Sequence, residues 1–247
     1  GEDFGLRNSY IRRSPDNVSD VIVRNKDPYV QKFSGYSQYD VLQKFLFRPN
    51  ERISHKLNLQ FSNSSRVPRY DRLTDPEDNG LRNAEWYYGP QRRFMAAYDM
   101  SINTRRKVAD IVNMTLSYQN IKESRHTRRF NAAERRNQLE HVDVWSFTAD
   151  FQRSWNKHKI RYGVDAQFSQ VASNAFHVNV FNGEHTPAGT RYPDGGSHMH
   201  NYALYFTHRQ EFNDALNYTS GARIGVSLLN ALFDDKTFFP FPFDEVN

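Results

Sequence analysis

Residues 54–65, SHKLNLQFSNSS, alternate between apolar and polar side chains over most of their length. Leu57, Leu59 and Phe61 hold the apolar positions, and lysine, asparagine, glutamine and serine hold the positions between and beside them. Because successive side chains of a strand point to opposite faces, the stretch is predicted to be a strand with one apolar and one water-exposed side. The apolar side can pack against the core of a soluble protein or against lipid, and this choice decides the function.

The same alternation recurs along the chain. Strict alternation over such stretches indicates strands rather than helices. The recurrences are YDVLQKFLFRP (39–49), RFMAAYDMSIN (93–103), DIVNMTLSYQN (110–120), VWSFTADFQR (144–153), KIRYGVDAQFSQ (159–170), YALYFTHRQ (202–210) and ALNYTSGARIGVSL (215–228). The sequence therefore predicts about eight long antiparallel strands, each with one apolar side.

The connections between these strands alternate in length. Short turns are predicted at RPNER (48–52), NTRRK (103–107), SWNKHK (154–159) and EFNDA (211–215), and long polar segments at 66–91, 122–141 and 172–200. Strands of soluble sandwiches are usually about five or six residues long, whereas outer-membrane barrels combine strands of about ten residues with short periplasmic turns and long extracellular loops. We predict an all-β fold, an antiparallel transmembrane β-barrel segment of about eight long strands.

The whole chain is assigned to one barrel domain. Residues 1–34 are expected to form a loop or incomplete strand region, residues 35–233 to form four β-hairpins, and residues 234–247 to form an extracellular loop. The chain begins GEDFGLRNSYIRR, without Met or a signal peptide, so it is expected to be processed or a fragment.

Composition excludes several classes of protein. Hydrophobic residues make up 38% and aromatic residues 15% of the 247 residues, and the mean hydropathy is −0.83. No apolar run approaches the roughly 20 residues of a membrane helix. The chain has 0 cysteines, which excludes disulfides and thiolate metal sites. Its 33 basic residues are interspersed with 28 acidic ones, which argues against nucleic acid as a partner.

The aromatic and charged side chains are placed as a membrane barrel would need them. Rings near the long-loop ends of the strands are predicted to form a lipid-facing girdle, because amphipathic rings favour the membrane interface. These rings are Tyr39, Phe61, Tyr118, Trp145, Phe168 and Tyr202. The opposite face would carry Lys44, Lys56, Asp99, Asp150, Arg161, Asp165 and Arg223. Such charges cannot fill a small dry core without severe desolvation, whereas a water-filled lumen accepts them.

The alternative for the apolar side is a soluble antiparallel sheet covered by helices. That arrangement needs amphipathic helices, and the only helix-like stretch is FNAAERRNQLEH (130–141), within a predicted loop. Tyrosine and phenylalanine are also simply good strand formers. The alternation and the loop lengths favour the membrane.

Two loop motifs resemble those of TonB-dependent outer-membrane receptors. They are VPRYDRLTD (67–75) and NAEWYYGPQRR (83–93), and the likeness extends to NKDPYVQKFSGYSQYDVLQK (25–44) and DKTFFPFPF (235–243). The resemblance is in particular to receptors of the Bacteroidetes type that are grouped with haem and haemoglobin receptors.

This resemblance implies a large barrel of about 22 strands, plugged by an N-terminal domain, in a Gram-negative outer membrane. The receptor would take up a scarce iron-containing or similar nutrient such as haem or a siderophore, with energy supplied through TonB. The present chain would be an internal barrel fragment that lacks the plug and the TonB box. Its partners would be outer-membrane lipid and lipopolysaccharide, TonB through the missing N-terminal region, and the nutrient ligand.

Histidines of the predicted extracellular loops are candidate ligands because the family resemblance implies axial coordination of haem by such residues, and imidazole suits iron. The candidates are His177, His185, His198 and His200. In the segment SHMH (197–200), an extended backbone would place both rings on one side. A solvated polar loop is the alternative, and the loop motif FRAP…NPNL of classical haem receptors is absent. Siderophore or cobalamin uptake therefore stays open.

A second candidate group is Arg69, Tyr70 and Arg72, in the first loop motif. The guanidinium groups could bind an anionic ligand such as a haem propionate or a ferric siderophore. They could equally bind lipopolysaccharide phosphates or pair with Asp71, and Tyr70 could simply pack the loop. No resident cofactor or metal is predicted, and haem is considered only as a transported ligand.

The sequence contains none of the common catalytic motifs: no G-x-S-x-G, H-E-x-x-H, P-loop or dinucleotide fingerprint. GGSHMH (195–200) is similar to the metal-binding H-x-H of cupins, but the glutamate that follows in cupins is missing. We therefore predict that the protein is not an enzyme. A passive outer-membrane porin and a soluble β-sheet ligand-binding protein are the alternatives to a receptor.

Overall fold

The computed structural model describes residues 5–78, 80–104 and 106–247, and almost all of its regular structure is strand. The strands are β1 Ser9–Arg13, β2 Asp20–Arg24, β3 Gln38–Asn50, β4 Ile53–Ser64, β5 Val67–Pro68, β6 Pro76–Glu77, β7 Gly80–Leu81, β8 Asn83–Tyr88, β9 Arg92–Asn103, β10 Ile111–Arg129, β11 Glu134–Trp155, β12 His158–Asn179, β13 His185–Pro187, β14 Ser197–Asn213, β15 Leu216–Leu232 and β16 Glu245–Val246. One helix, α1 (Tyr70–Leu73), has 4 residues. Within these ranges no helix is long and apolar enough to cross a membrane.

One antiparallel sheet organises the molecule. Its strand order is β16-β15-β14-β12-β11-β10-β9-β4-β3, and β13, β8 and β5 attach beside this path. Short turns join β3 to β4, β9 to β10, β11 to β12 and β14 to β15. All four turns lie at the same end of the strands. The predicted all-β antiparallel fold is confirmed, and the sheet is open between β3 and β16.

The register places the apolar side chains on one face, because directly opposite residues of an antiparallel pair point to the same side. A continuous row across the sheet shows this arrangement: Leu57, Tyr98, Leu116, Phe147, Ala166, Tyr202 and Val226. Four such rows, which start at Ile53, His55, Leu57 and Leu59, form what we call the apolar face. Its side chains are largely exposed, up to 74% for Ile224.

The other face of the sheet, the polar face, carries the charges. The register confirms that all seven predicted charged residues share it: Lys44, Lys56, Asp99, Asp150, Arg161, Asp165 and Arg223. Asp99 accepts a hydrogen bond of 2.7 Å from Thr115 Oγ1 and lies 4.0 Å from Lys56 Nζ. Among the described residues no large side chain is fully buried. The sheet therefore has no closed hydrophobic core of its own.

Residues 122–141, predicted as a long loop, form a strand hairpin instead. Strand β10 continues to Arg129 and β11 begins at Glu134, so both strands extend well beyond the apolar rows. Asn131, with φ of 57°, closes the turn between them. The helix-like stretch 130–141 is thus mostly strand. Most of its side chains are polar on both faces, so the sequence shows no strand alternation there.

Residues 172–200 were also predicted as one loop, and this is wrong for both ends of the segment. Strand β12 continues to Asn179 and pairs with β13, and β14 begins at Ser197. We call the part of the sheet beyond the apolar rows the extension. It comprises β8, β13 and the adjoining ends of β10, β11 and β12.

The segment 1–34, expected to be a loop or incomplete strand, contains the hairpin β1–β2. Asp20 attaches this hairpin to the extension. Its fully buried carboxylate accepts hydrogen bonds from Arg128 Nη1 and Nη2, at 2.7 and 3.0 Å, and from Arg13 Nη1 at 2.9 Å. Asn131 exchanges two more hydrogen bonds with Asp20, each of 2.8 Å.

Candidate functional site

The polar face of the extension carries a cluster of two arginines and two aromatic rings. Trp86 and Tyr88 lie two residues apart in β8 and so point to the same side. Their rings meet edge to face, with centroids 4.9 Å apart. Tyr88 lies opposite Arg125 of β10. Arg69, from the turn before α1, completes what we call the arginine–aromatic cluster.

Both guanidinium groups lie over the same two rings. The Cζ atom of Arg69 is 5.1 Å from the Trp86 ring and 5.6 Å from the Tyr88 ring. The Cζ atom of Arg125 is 5.4 and 5.7 Å from the same rings. These distances are within the range of cation–π attraction. The rings therefore hold two positive charges side by side at one place on the extension.

The two arginines differ in how their hydrogen-bonding groups are used. Arg69 donates from Nε and Nη2 to the two oxygens of Asp71, at 2.7 and 2.6 Å, and from Nη1 to Tyr88 Oη at 3.1 Å. These bonds to Asp71 raise the pKa of Arg69 and lower the pKa of Asp71. The Nε of Arg125, by contrast, is buried without a hydrogen-bond partner. Arg125 is therefore the cation with spare capacity for an anion.

Tyr70 and Arg72 flank the cluster without joining it. Tyr70 donates its hydroxyl to the Leu6 carbonyl at 2.5 Å, which ties α1 to the N-terminal segment. Arg72 lies 3.7 Å from Asp71 and 3.8 Å from Asp75. The expectation that Asp71 pairs with these arginines is confirmed.

A buried carboxylate lies on the same face, near the arginine–aromatic cluster. The Glu140 side chain is 3% exposed, and neither of its oxygens has a hydrogen-bond partner. Arg191 Nη1 is 3.6 Å away. Burial raises the pKa of Glu140. Ser173, directly opposite Glu140 in β12, also has a buried hydroxyl without a partner.

The opposite side of the extension holds a histidine that the sequence did not single out as a site residue. His126 and Tyr87 stack with centroids 4.5 Å apart and planes 17° from parallel. The His126 ring nitrogens contact Asn137 Oδ1 at 2.6 Å and Ser124 Oγ at 2.9 Å. Burial lowers the pKa of His126. The stack depends on the pairing of β10 with β8, which places His126 opposite Tyr87. The sequence did not predict that pairing.

The predicted ligand histidines are not brought together. His177 lies on the polar side of the extension, 3.5 Å from Glu134, and His185 stacks on Phe176 at 5.0 Å. His198 and His200 lie in β14 rather than in a loop, both on the apolar face. Their rings do point to one side, as expected. In the part of the chain that the structure describes, no group of 3 or more histidine and acidic residues is arranged to hold a metal.

The register places all six predicted girdle rings on the apolar face. Tyr118 lies opposite Trp145, and Trp145 lies opposite Phe168. These three rings occupy the last of the four apolar rows, next to the extension. The other predicted rings, Tyr39, Phe61 and Tyr202, are within a few residues of that row.

No protein-family model matches the chain, and no curated protein matches it. Among solved structures it is similar to the "Copper transporter OprC", with a TM-score of 0.63 and 11% identity over 79% of this chain and 29% of that one. It is also matched by the "ferric citrate transporter FecA in the unliganded form", with a TM-score of 0.48 and 11% identity over 82% of this chain and 34% of that one.

Both similar structures are described as transporters. The likeness to the copper transporter shows the fold: this chain has the architecture of part of such a transporter's barrel. The chain spans about a third of the length of either structure, at 29% and 34%.

Proposed function

We propose that this chain is part of the barrel of a TonB-dependent receptor that actively takes up a scarce nutrient across a Gram-negative outer membrane. The observation that carries the proposal is the division of one long-stranded sheet into a continuous apolar face and a charged polar face. A soluble sheet of this kind would need a covering layer. A membrane supplies that cover on one side and a water-filled lumen serves the other.

The height of the apolar face fits a membrane. Alternate residues of a strand are about 6.8 Å apart, so the four rows span about 20 Å along the strands from the first Cα to the last, and about 27 Å when half a spacing of side chain is added at each end. Strands of outer-membrane barrels are tilted by about 40°, which reduces this height to roughly 21 Å, close to the roughly 25 Å apolar band of such barrels. The short turns would then be periplasmic, the extension extracellular, and the rings from Tyr118 to Phe168 part of a lipid-facing girdle.

The arginine–aromatic cluster is the proposed ligand contact of this segment. It lies on the lumen side of the extension, where an extracellular ligand would approach. Paired guanidinium groups suit carboxylate or phenolate oxygens, and the flat faces of Trp86 and Tyr88 suit a conjugated ring system. A ligand with both features is haem with its propionates or a ferric siderophore. Arg125 would bind the anionic group, and Arg69, which is held by Asp71, would lie beside it.

The other predicted ligand-binding residues differ in how close they lie to the arginine–aromatic cluster and in which face of the sheet they occupy. Tyr70 and Arg72 border the arginine–aromatic cluster, and His177 shares its face of the extension. His185 stacks on Phe176, and His198 and His200 lie on the lipid-facing side in this proposal. Contact with the ligand is therefore proposed for the cluster first, with His177 next.

Uptake by the full-length protein that contains this chain tests the proposal. An iron-starved host that lacks its own haem and siderophore receptors would be given haemin or a ferric siderophore. We expect growth that requires TonB, and a loss of ligand affinity of about tenfold in Arg125→Ala. Arg129→Ala is the matched control, because Arg129 is an exposed arginine of the same strand that pairs with Glu77 at 3.0 Å.

Two outcomes would favour the alternatives. Growth that is independent of TonB would indicate a passive porin. A water-soluble maleimide that labels Leu204→Cys and Thr207→Cys equally in intact outer membranes would indicate that the apolar face meets water, as in a soluble ligand-binding protein. The chain itself has 0 cysteines, so the label would report these positions within it.

A further inference from the structure

We infer that His158 and His208, near the short-turn ends of β12 and β14, form a binding site for a soft monovalent metal cation, Cu⁺ or Ag⁺. The inference depends only on the register of β11, β12 and β14, and not on the transported ligand. The two histidines, which we call the histidine pair, lie just beyond the apolar row in which Tyr162 is opposite Phe206. In the proposed orientation this position is the periplasmic boundary of the membrane.

The register of the sheet brings the two imidazoles together from different strands. His158 is the first residue of β12, and it lies opposite Gln210 of β14. His208 lies two residues before Gln210 and therefore points to the same side of the sheet. Such diagonal neighbours in an antiparallel pair are about 7–8 Å apart at the backbone, within reach of aromatic side chains. The two rings can therefore meet without any distortion of the strands.

The two rings meet edge to edge. His158 Nδ1 and His208 Nε2 are 3.0 Å apart, and the ring planes are 15° from parallel. The ring centroids are 5.3 Å apart, which is close to the greatest separation that two imidazoles with this N–N distance can have. The two nitrogens therefore lie between the centroids, almost on the line that joins them. One of the nitrogens donates its hydrogen to the lone pair of the other.

The same arrangement suits a cation that takes two ligands in a line. When each imidazole carries its proton on the outer nitrogen, both inner nitrogens present a lone pair, and neutral imidazole is a good ligand for copper. This requires a shift of one proton between the two nitrogens of one ring, so no net proton is released. A metal–imidazole bond is about 2 Å long, so a cation between the nitrogens needs them about 4 Å apart, roughly 1 Å more than in the hydrogen-bonded pair. Small rotations of the two side chains provide this difference.

Trp155 supports one of the two rings. It is the last residue of β11 and lies opposite His158. The Trp155 and His158 rings have centroids 5.3 Å apart and planes 22° from parallel. The indole therefore limits the rotation of His158 on the side away from β14, while the inner nitrogen stays directed at His208.

The number of ligands selects the metal. In the part of the chain that the structure describes, no group of three or more histidine and acidic side chains is arranged to hold an ion. Zn²⁺ takes four ligands, of which three or four come from the protein, and Ca²⁺ and Mg²⁺ require oxygen ligands. Cu⁺ and Ag⁺ have filled d shells and form linear complexes with two nitrogen ligands. Two imidazoles in line therefore complete the coordination of these two ions and leave that of the others incomplete.

The charged side chains around the histidine pair do not oppose a monovalent cation. Arg153, opposite Ile160, shares the face with the pair, and its guanidinium donates to the Asp110 carboxylate. Lys159 and Arg209 lie opposite each other, one position from each histidine. They therefore point to the polar face, away from the pair.

Metal binding to the purified full-length protein that contains this chain, free of any affinity tag, tests this assignment. The probes are Ag⁺ and Cu⁺, the second kept reduced with ascorbate, and Zn²⁺ is the comparison. We expect His208→Gln to bind one equivalent of Cu⁺ or Ag⁺ fewer than the wild type. The X-ray absorption of that missing Cu⁺ should show the strong pre-edge peak of linear ligation by two nitrogens. Zn²⁺ binding should be the same in both proteins.

His208→Met separates a metal ligand from a structural residue. A thioether binds Cu⁺ and Ag⁺ but cannot replace the imidazole hydrogen bond, so this variant should keep the equivalent that His208→Gln loses. His158→Gln should lose the same equivalent, so the assignment does not depend on the folding of one variant. The matched control is His185→Gln, because His185 stacks on Phe176 with centroids 5.0 Å apart and has no part in the pair.

Three results would overturn the metal site. The first is equal Cu⁺ and Ag⁺ binding by the wild type, His208→Gln and His158→Gln. The second is a loss in His208→Met as complete as that in His208→Gln, which would indicate a structural role for the imidazole. The third is an absorption spectrum of three or more ligands. TonB-dependent growth of the same variants is measured separately, so a failed metal site leaves the proposed function standing.

Discussion

The carboxylate of Asp20 and the guanidinium of Arg128 form a bidentate ion pair, with distances of 2.7 and 3.0 Å, between the N-terminal hairpin and the extension. The Asp20 side chain is fully buried and that of Arg128 is 5% exposed. Arg128 also donates from Nε to Glu85 of β8 at 2.7 Å. One arginine therefore connects three segments that are far apart in sequence.

Asp20→Asn is expected to detach the hairpin, because Arg128 would lose its buried counter-charge. Removing one partner of a buried ion pair usually costs about 3–5 kcal/mol. Limited proteolysis should then cut residues 9–24 faster, with the rest of the sheet intact. Arg129→Ala, which removes an exposed ion pair with Glu77, should leave the cleavage rate unchanged. Equal protease resistance of Asp20→Asn and wild type would contradict the docking role.

Acid should weaken the same contact. Burial alone would raise the pKa of Asp20, but hydrogen bonds from Arg128, Asn131 and Arg13 outweigh it, and the pKa is lowered. The contribution to stability is therefore present above the unfolded pKa of about 3.9 and is lost as the pH falls through the lower folded value. Hydrogen exchange of β1 and β2 should stay protected at pH 5 and increase only in stronger acid. An increase already between pH 7 and pH 5 would show that another group controls docking.

Glu140→Gln is expected to stabilise the extension at neutral pH. Both oxygens of Glu140 are buried without partners, and burial raises its pKa. Because its folded pKa is raised, the folded protein binds the Glu140 proton more tightly than the unfolded chain does. The resulting stability is fully present below the unfolded pKa of about 4.3 and is lost as the pH rises through the folded pKa. The amide removes the buried charge, so the variant's unfolding temperature should exceed that of the wild type at pH 8 and approach it at pH 4.

The control for this prediction is Glu51→Gln, an exposed carboxylate in the turn between β3 and β4. It should give the same unfolding temperature as the wild type at both pH values. A lower unfolding temperature for Glu140→Gln at pH 8 would mean that the Arg191 ion pair, at 3.6 Å, outweighs the burial of the charge.

The strands that carry the four apolar rows were predictable from the sequence, and the strands of the extension were not. In residues 54–61 and 93–103 one face of the strand carries mostly apolar side chains and the other mostly polar ones. The apolar side chains therefore repeat with a period of two. In 122–129 and 134–140 almost all side chains of both faces are polar, so no such period appears. Those strands are held by backbone pairing and by ion pairs such as Arg128–Glu85, which link distant parts of the chain.

The candidate site shows the same limit. The loop motifs drew attention to Arg69, but Arg125, which lies over the same two rings, is 56 positions further along, in a segment predicted to be a loop. Only the pairing of β8 with β10 brings Arg125 to Trp86 and Tyr88. The histidines were chosen from predicted loops and from the family resemblance, and strand parity places His200 and His177 on opposite sides of the sheet.

Gly163→Ala is expected to disrupt the polar face at β12. A Cβ atom at this position would lie 2.5 Å from the Ala149 carbonyl oxygen and would also meet the Tyr205 ring, whose hydroxyl donates to Asp150. Because a backbone carbonyl between paired strands cannot move away, the strands must separate or Tyr205 must leave Asp150. We expect a lower yield of folded protein, measured by heat-modifiable mobility on detergent gels. Gly35→Ala is the matched control, since nothing lies within 4 Å of a Cβ there. Equal folded yields for the two variants would show that β11, β12 and β14 are less closely packed than the structure indicates.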